Sequence, residues 1–323
     1  MSMMNDVHDH VFSMDLNEVL KGLTSTPRRL PSTYLYDARG EELFRQIMQL
    51  PEYYLTRAER EIFQSDSAAI LRSMGSTEVD IVELGAGDGS KTALLMKAAV
   101  DLQIRCRYIP IDIAQTALDA LSQNIADMQL PVQVNPILGN YLEGLHTLHR
   151  SSHRAELVVF LGSNIGNFSQ PDAINLLASV RSGMTEADRL LLGVDLRKDP
   201  RTVHAAYNDG RGLTAAFNVN LITRMNRELG CSAHEDDFAH YEAYDPILGE
   251  ARSYLVSLRD QVLTFSNTTQ NVALDQGSVI LTEISKKYSL QEVDQLALQS
   301  GFVVDHVYTD TNHWFADVML RPR

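Results

Sequence analysis

The chain has 323 residues, enough for one large domain or two smaller ones around a sizeable core, and its 44% hydrophobic and 22% charged content is that of a globular protein. Lys+Arg 28 against Asp+Glu 42 gives a formal net charge of −14, which disfavours nucleic acid and anionic membrane as partners and suits a small cationic or zwitterionic substrate. Two cysteines, Cys106 and Cys231, argue against a disulfide framework or thiolate metal site, no run reaches the ~18–20 apolar residues of a membrane span, and the polar first residues hold no secretory core, so a cytoplasmic monomer is expected.

Residues 1–20 lack periodicity and are expected to be partly disordered, and residues 24–31, with Pro27 and Pro31, read as an irregular lead-in. Residues 32–57 carry Tyr34, Tyr36, Tyr53 and Tyr54, either as packing of an N-terminal helical layer or as the wall of a site. Residues 59–74 have helical periodicity. Next, the apolar Val79, Ile81, Val82 and Leu84 predict a strand that breaks into Gly85, Gly87 and Gly89, followed by a helix over 90–99.

Strand, glycine turn and helix is the layout of a nucleotide-binding α/β unit. The spacing is G-x-G-x-G. Ser90 stands where a dinucleotide fingerprint needs its third glycine, and the P-loop pattern does not fit. Residues 108–112 predict the next strand, ending in Asp112 roughly 20 residues beyond the turn, where such folds place the acid that binds ribose hydroxyls. The competing role for Asp112 is capping the helix that follows. Glu83 either serves a ligand or orients the loop. A nucleoside without a phosphate chain fits this combination, and S-adenosylmethionine is the natural candidate.

Beyond that point, helix over 114–125, strand over 132–138, apolar strand over 156–161, helix over 171–181 and strand over 189–194 alternate. Such a rhythm predicts a parallel sheet covered on both faces. After the fourth strand come Asn164 and Asn167, each weighed between a polar-ligand contact and a turn. The rhythm then changes: helices over 202–208 and 212–228 precede strands over 238–244, 253–258, 262–266 and 279–285. A helix over 290–298, closed by Gly301, and strands over 303–309 and 314–320 finish the chain. The predicted fold class is α/β, a doubly wound Rossmann-like methyltransferase sheet with an inserted α+β substrate-binding domain. Its expected boundaries are 1–60 (N-terminal part of the substrate domain), 61–197 (core), 198–286 (insertion) and 287–323 (end of the core).

In the predicted strand 279–285, Glu283 and Ser285 share a face. A carboxylate and a hydroxyl side by side grip a group that donates two hydrogen bonds, such as an imidazole or imidazolium; a solvated strand edge is the other reading.

Six segments, YDARGEELF (36–44), LPEYYLTR (50–57), VELGAGDGSKT (82–92), FLGSNIGN (160–167), TAAFN (214–218) and LTEISKKY (281–288), make the chain resemble the histidine-specific Nα-methyltransferases of ergothioneine biosynthesis, a family that uses S-adenosylmethionine. They run in order through nearly its whole length. The resemblance implies that Gly85, Gly87, Lys91, Asp112, Asn140 and Tyr141, with Tyr36 nearby, line the cofactor. It implies that Tyr53, Asn167 and Tyr207 hold the amino and carboxylate ends of the substrate, with Tyr53 closest to the chemistry, and that Glu283 and Ser285 bind the imidazole. No metal is implied. Two departures stand out: Asn140 replaces an expected Asp, and Ser253 and Tyr254 replace a Met and a ring residue of the side-chain pocket. The implied reaction is methyl transfer to the α-amino group of L-histidine, in succession to the trimethylated betaine. The alternatives are N-methylation of another amino acid or amine, and a non-catalytic S-adenosylmethionine-binding module.

Overall fold

A computed structural model describes residues 13–85, 87, 89–147 and 154–323. Ala86 and Asp88 of the glycine turn, and most of the segment expected to be disordered, lie outside the described residues. Residues 13–20 do not fit that expectation. Helix α1 (Leu16–Thr24) starts there, because the Asp15 carboxylate accepts from Asn17 N and satisfies one of the amides that a helix start leaves open.

The chain divides into two compact units. One comprises Met1–Tyr54 with Lys198–Lys286, the other Leu55–Arg197 with Lys287–Arg323. In chain order the first unit contributes α1 and α2 (Ala38–Ile47). The second then takes α3 (Leu55–Ser73), β1 (Glu78–Leu84), α4 (Thr92–Asp101), β2 (Arg105–Asp112), α5 (Gln115–Asp127), β3 (Gln133–Val134), β4 (Ile137–Leu138), α6 (Tyr141–Thr147), β5 (Ala155–Phe160), α7 (Gln170–Arg181) and β6 (Arg189–Asp195). The first resumes with α8 (Pro200–Tyr207), α9 (Leu213–Leu229), β7 (Phe238–Asp245), β8 (Glu250–Ser257), β9 (Gln261–Leu263), β10 (Val272–Leu274) and β11 (Val279–Lys286). The second closes with α10 (Leu290–Gln299), β12 (Phe302–Thr309) and β13 (Phe315–Pro322). Helix α3 packs on α4 and β13, so the first division falls at Tyr54 and not at residue 60.

The second unit is built on one sheet of order β12-β13-β6-β5-β1-β2-β3, with β4 also on β2. Strands β1 to β6 run parallel, and β13 lies antiparallel to both β6 and β12. The β5 and β6 strands read as apolar runs because both of their faces are buried: Phe160 and Leu190 pack in one cluster with Leu177 of α7 and Leu296 of α10, and Leu157, Val159 and Leu191, on the other face, are fully buried as well. Where one strand was expected over 132–138, two short ones form. Pro136 has no N–H to offer β2, and the pairing breaks there. Strand order reverses between β1 and β5, so the carboxyl ends of these two neighbours flank a topological switch point.

The first unit holds a three-stranded antiparallel sheet, β11-β8-β7, and a separate β9-β10 pair; β10 was not foreseen. Helices α8 and α9 pack on β7 and β8, and α2 packs on α9. The lead-in belongs here because Leu30 N donates to Leu281 O at 2.8 Å and Leu281 N donates to Arg28 O at 2.9 Å.

Candidate functional site

In the second unit, the expected cofactor residues lie at the carboxyl ends of β1 (Gly85, Gly87 and Lys91), β2 (Asp112) and β4 (Asn140 and Tyr141). Gly85 ends β1 at φ +76°, a left-handed conformation that disfavours side chains, and its N–H donates to Ile111 O at 2.9 Å. A Cβ there would stand 2.9 Å from Tyr141 Oη, so the loop and this phenol are closely apposed. The Tyr141 ring lies edge-on to Phe160 at 5.3 Å. Burial, with the negative charge of Asp112 nearby, pushes its phenol up to about 12, so it remains a hydrogen-bond donor at neutral pH. Gly85, Asp112 and Tyr141 are thus brought together. Gly87, at φ +53°, stands exposed with open space around it.

Asp112 ends β2 half-buried, and its Oδ1 accepts from Ala114 N at 3.0 Å. It closes a turn at the strand end, one residue short of the α5 amides, and the start of α5 has no side-chain cap. Asn140 is exposed, and its Oδ1 accepts from Leu142 N and Glu143 N at 3.1 and 2.9 Å. Its amide oxygen caps α6.

Lys91 forms an ion pair with Glu59. Glu59, 1% exposed, also accepts from Gly162 N at 2.7 Å, so one carboxylate on α3 ties the loop after β1 to the loop after β5. Sequence reasoning missed it. Asp317 on β13 is fully buried, and neither of its oxygens accepts a hydrogen bond. Burial, reinforced by the charge of Glu59, raises its pKa well above the usual carboxylate range. A single acid inside the apolar run of β13 was the signal for it. Glu83 resolves as a loop-orienting residue, accepting from Thr92 Oγ1 at 2.6 Å and from the Tyr108 phenol. Asn164, half-buried, opens a 3₁₀ turn beside Gly162, while Asn167 is exposed at the end of that turn.

In the first unit, Tyr36, Phe44, Phe217, Tyr53 and Tyr207 form a continuous ring cluster with centroid distances of 5.4–6.2 Å. Tyr36 belongs to this unit and not to the unit of the other cofactor candidates, while Asn167 belongs to the second unit, apart from Tyr53 and Tyr207 in the chain's division. The start of α2 is held by Asp37, which accepts from Gly40 N at 2.8 Å, Asn220 Nδ2 at 2.7 Å and Arg227 Nη2 at 2.7 Å. Burial works against the charge of Asp37, yet these donors hold its pKa below the ordinary value.

The cluster ends on the sheet. Tyr207 Oη and Ser285 Oγ are 2.9 Å apart, and the two residues are 7% and 5% exposed. Glu283 is half-buried two residues away on the same face. Ser253 sits on that face opposite Glu283. Tyr254 does not, contrary to its expected place in the pocket: alternation turns it to the other face, where its ring neighbours the exposed Tyr241 at 6.3 Å.

A parallel sheet that reverses order beside a glycine turn, with an acid ending the next strand and an antiparallel strand inserted at one edge, defines a Rossmann-like S-adenosylmethionine-dependent methyltransferase. Comparison narrows the class: a family model described as histidine-specific methyltransferase, SAM-dependent, matches residues 15–322, and the chain belongs to that family. It is 34% identical to the histidine N-alpha-methyltransferase of Mycolicibacterium smegmatis, over 91% of this chain and 90% of that one. With the enzyme of that name from Mycobacterium tuberculosis the identity is 36% over the same shares. With ergothioneine biosynthesis protein 1 of Neurospora crassa it is 29%, over 92% of this chain and 34% of that longer one.

The second unit's residues suit the family's cofactor. A side-chain-free Gly85, a protonated phenol and a strand-end carboxylate offer backbone, donor and acceptor groups to an adenosine.

Proposed function

We propose that the chain methylates the α-amino group of L-histidine, in succession to the trimethylated betaine. The observation that carries this reading is the Tyr207–Ser285 hydrogen bond with Glu283 on the same strand face: a fixed hydroxyl beside a carboxylate suits an imidazole, which has a ring nitrogen for each. Family membership supports the same chemistry. In this reading Glu283 and Ser285 bind the ring, while Tyr53, Asn167 and Tyr207 hold the amino and carboxylate groups. Gly85, Gly87, Lys91, Asp112, Asn140 and Tyr141, with Tyr36, serve the donor. The first unit is then the substrate-binding one, and the protein works as a cytoplasmic monomer.

S-adenosylmethionine supplies a methyl group on a sulfonium. The chain's own part is alignment and the exclusion of water. Positioning two reactants in this way is worth up to ~7–11 kcal/mol in ideal cases. Positive charge passes to the product without new charge appearing, so no oxyanion-type stabilisation is required. The amine must first lose a proton to water, and an α-amino group titrates at about 7.7–8.0 in peptides and higher in a free amino acid, so the reactive form is a minor fraction at neutral pH. Bulk water or a water held by Tyr53, which is 8% exposed within the ring cluster, takes the proton, and no dedicated general base is assigned. The faces of Tyr53 and Phe217 tolerate the methylated cation as it grows.

Mass spectrometry of purified protein with S-adenosylmethionine and L-histidine, or its mono- and dimethyl forms, tests the reading. Three successive methyl additions are expected. Methylation of some other amine from a panel, with histidine untouched, refutes it; absence of turnover with every amine leaves a binding module. Size-exclusion chromatography with light scattering checks the monomer.

A further inference from the structure

Three elements of the first unit meet at His240. The residue lies on β7, and both α8 and α9 pack on that strand. It shares a face of β7 with Glu242, which register places in one row with Ser253 and Glu283. His240 Nε2 is 3.1 Å from Tyr207 O, at the last residue of α8, and its Nδ1 is 2.9 Å from Nδ2 of Asn218 on α9.

The donors and acceptors around this ring decide its state. Asn218 Nδ2 also donates to Tyr254 O at 2.9 Å. Turning the amide over would set Oδ1 against that carbonyl, acceptor against acceptor, so Nδ2 keeps its place and gives one N–H to each partner. The orientation holds even though it leaves Oδ1, in a residue 1% exposed, buried without a hydrogen-bond partner. His240 Nδ1 therefore accepts, and Nε2 carries the proton that goes to Tyr207 O. An imidazole with one nitrogen accepting and the other donating is neutral. Its surroundings agree: burial lowers the pKa of His240 and the charge of His204 adds to this, against the pull of the Tyr207 carbonyl and of Asp209. A protonated ring would point a second N–H at the amide hydrogens of Asn218, so the contact is made only by the neutral form.

Tyr207 O is among the carbonyls that the end of a helix leaves without an intrahelical partner, and His240 supplies a donor there. At the other end of the same residue, the phenol meets Ser285 Oγ at 2.9 Å. Tyr207 is thus held at its backbone from β7 and at its hydroxyl from β11. A side chain that must present a hydroxyl to within about 0.5 Å depends on how firmly its own backbone is fixed.

We infer that His240, locked by Asn218 in its neutral Nε2–H form, is a positioning residue for Tyr207 and through it for the bound amino acid. This inference rests on the reading of Tyr207 as a substrate residue. It also gives a reason for a buried asparagine inside α9, where that residue is a poor helix former.

The test is a double-mutant cycle on the full chain. His240→Phe keeps a ring and removes both nitrogens. The KM for L-histidine is expected to rise about fivefold with kcat within about twofold, and affinity for S-adenosylhomocysteine by calorimetry to stay within about twofold. In a Tyr207→Phe background the same change should raise KM less than about twofold, since the hydroxyl it positions is gone; a merely structural defect would add in full. His240→Gln, which offers an N–H near the place of Nε2, should bring KM back to within about twofold of wild type. Should the phenylalanine variant not fold, NMR of the wild-type protein with 15N-labelled histidine reads the ring directly, its signal being the one missing in His240→Gln. His240 should be protonated at Nε2 alone at about pH 6.5, where an ordinary imidazole is half charged. Equal rises in KM in both variants, no rise in either, an additive cycle, or a ring protonated at Nδ1 overturns the role of His240. A wild-type protein that leaves histidine unmethylated, or a Tyr207→Phe variant with unchanged KM, overturns the reading of Tyr207 beneath it and the role of His240 with it.

Discussion

Replacing Glu83 by glutamine should make the second unit more stable at alkaline pH. Glu83 is 3% exposed at the end of β1, where it accepts from Thr92 Oγ1 and the Tyr108 phenol. Burial raises its pKa from the ordinary 4.5 to about 7, even though those two donors and the charge of Lys91 pull the other way. Between about pH 4.5 and about 7 the folded protein thus keeps a proton that the unfolded chain has lost. Stability falls as pH rises wherever the native state binds more protons, so the contribution of Glu83 is present in full below about 4.5 and gone above about 7. At ~1.4 kcal/mol per pKa unit, the loss across that window is about 3 kcal/mol. Glutamine presents the same acceptor to Thr92 and Tyr108 but never ionises. Urea unfolding followed through the single tryptophan, Trp314, which lies in this unit, is the assay at pH 5, 6, 7 and 8. Variant and wild type should agree near pH 5, and the variant should gain up to about 3 kcal/mol by pH 8. Taking the difference between the two proteins cancels every other titration. A gap that is constant with pH, or that widens on acidification, refutes the reasoning.

Four further substitutions probe the two units. Tyr207→Phe removes the partner of the buried Ser285 hydroxyl, a loss of about 2 kcal/mol or about thirtyfold in the KM for histidine; a fall in kcat with KM unchanged contradicts the ring-binding role. Gly85→Ala forces a side chain to φ +76° and into contact with Tyr141 Oη, so calorimetry should find S-adenosylhomocysteine bound roughly tenfold more weakly, from ~1–2 kcal/mol of strain, and affinity within twofold of wild type contradicts it. Glu59→Ala strips Lys91 and Gly162 of their common acceptor and should lower Tm by on the order of 10 °C, as ~3–5 kcal/mol in a unit of this size implies. Asp317→Asn imitates a carboxyl already kept protonated and should leave Tm within about 3 °C; similar drops in both variants contradict the protonation of Asp317.

What could be read from the chain, and what could not, divides along a physical line. Local patterns announced the sheet: apolar runs such as those of β5 and β6 arise because both faces are covered, and Gly85 marks the turn because the backbone there is left-handed. Pairing across distance left no such trace. The two short strands around Pro136 and the unforeseen β10 depend on partners supplied by other parts of the sheet. The same holds for the candidate site. Glu283 and Ser285 were legible together because a strand alternates, whereas Glu242 entered their row only through register with Ser253. Tyr254 shows the converse: adjacency in sequence to Ser253 sends it to the opposite face. Glu59 lies on a helix far along the chain from Gly162, and no periodicity connects the two.

Charge separates the units in a way that net composition cannot. The total of −14 belongs mostly to a surface in salt, where its influence fades within about 10 Å, so it has little part in choosing a ligand. In the second unit several buried acids are neutralised in place: Glu59 by Lys91, Asp80 by Arg107, Asp195 by Lys287 at 2.9 Å, and Asp317 by a retained proton. That is what a site for a cationic donor requires of its supporting shell, since unpaired buried charge would destabilise the loops that shape it. The first unit uses its acids differently. Asp37 is engaged by three donors at the start of α2, whereas Glu242 accepts from the Ser253 hydroxyl at 2.7 Å and stands in register, through Ser253, with Glu283 on the neighbouring strand.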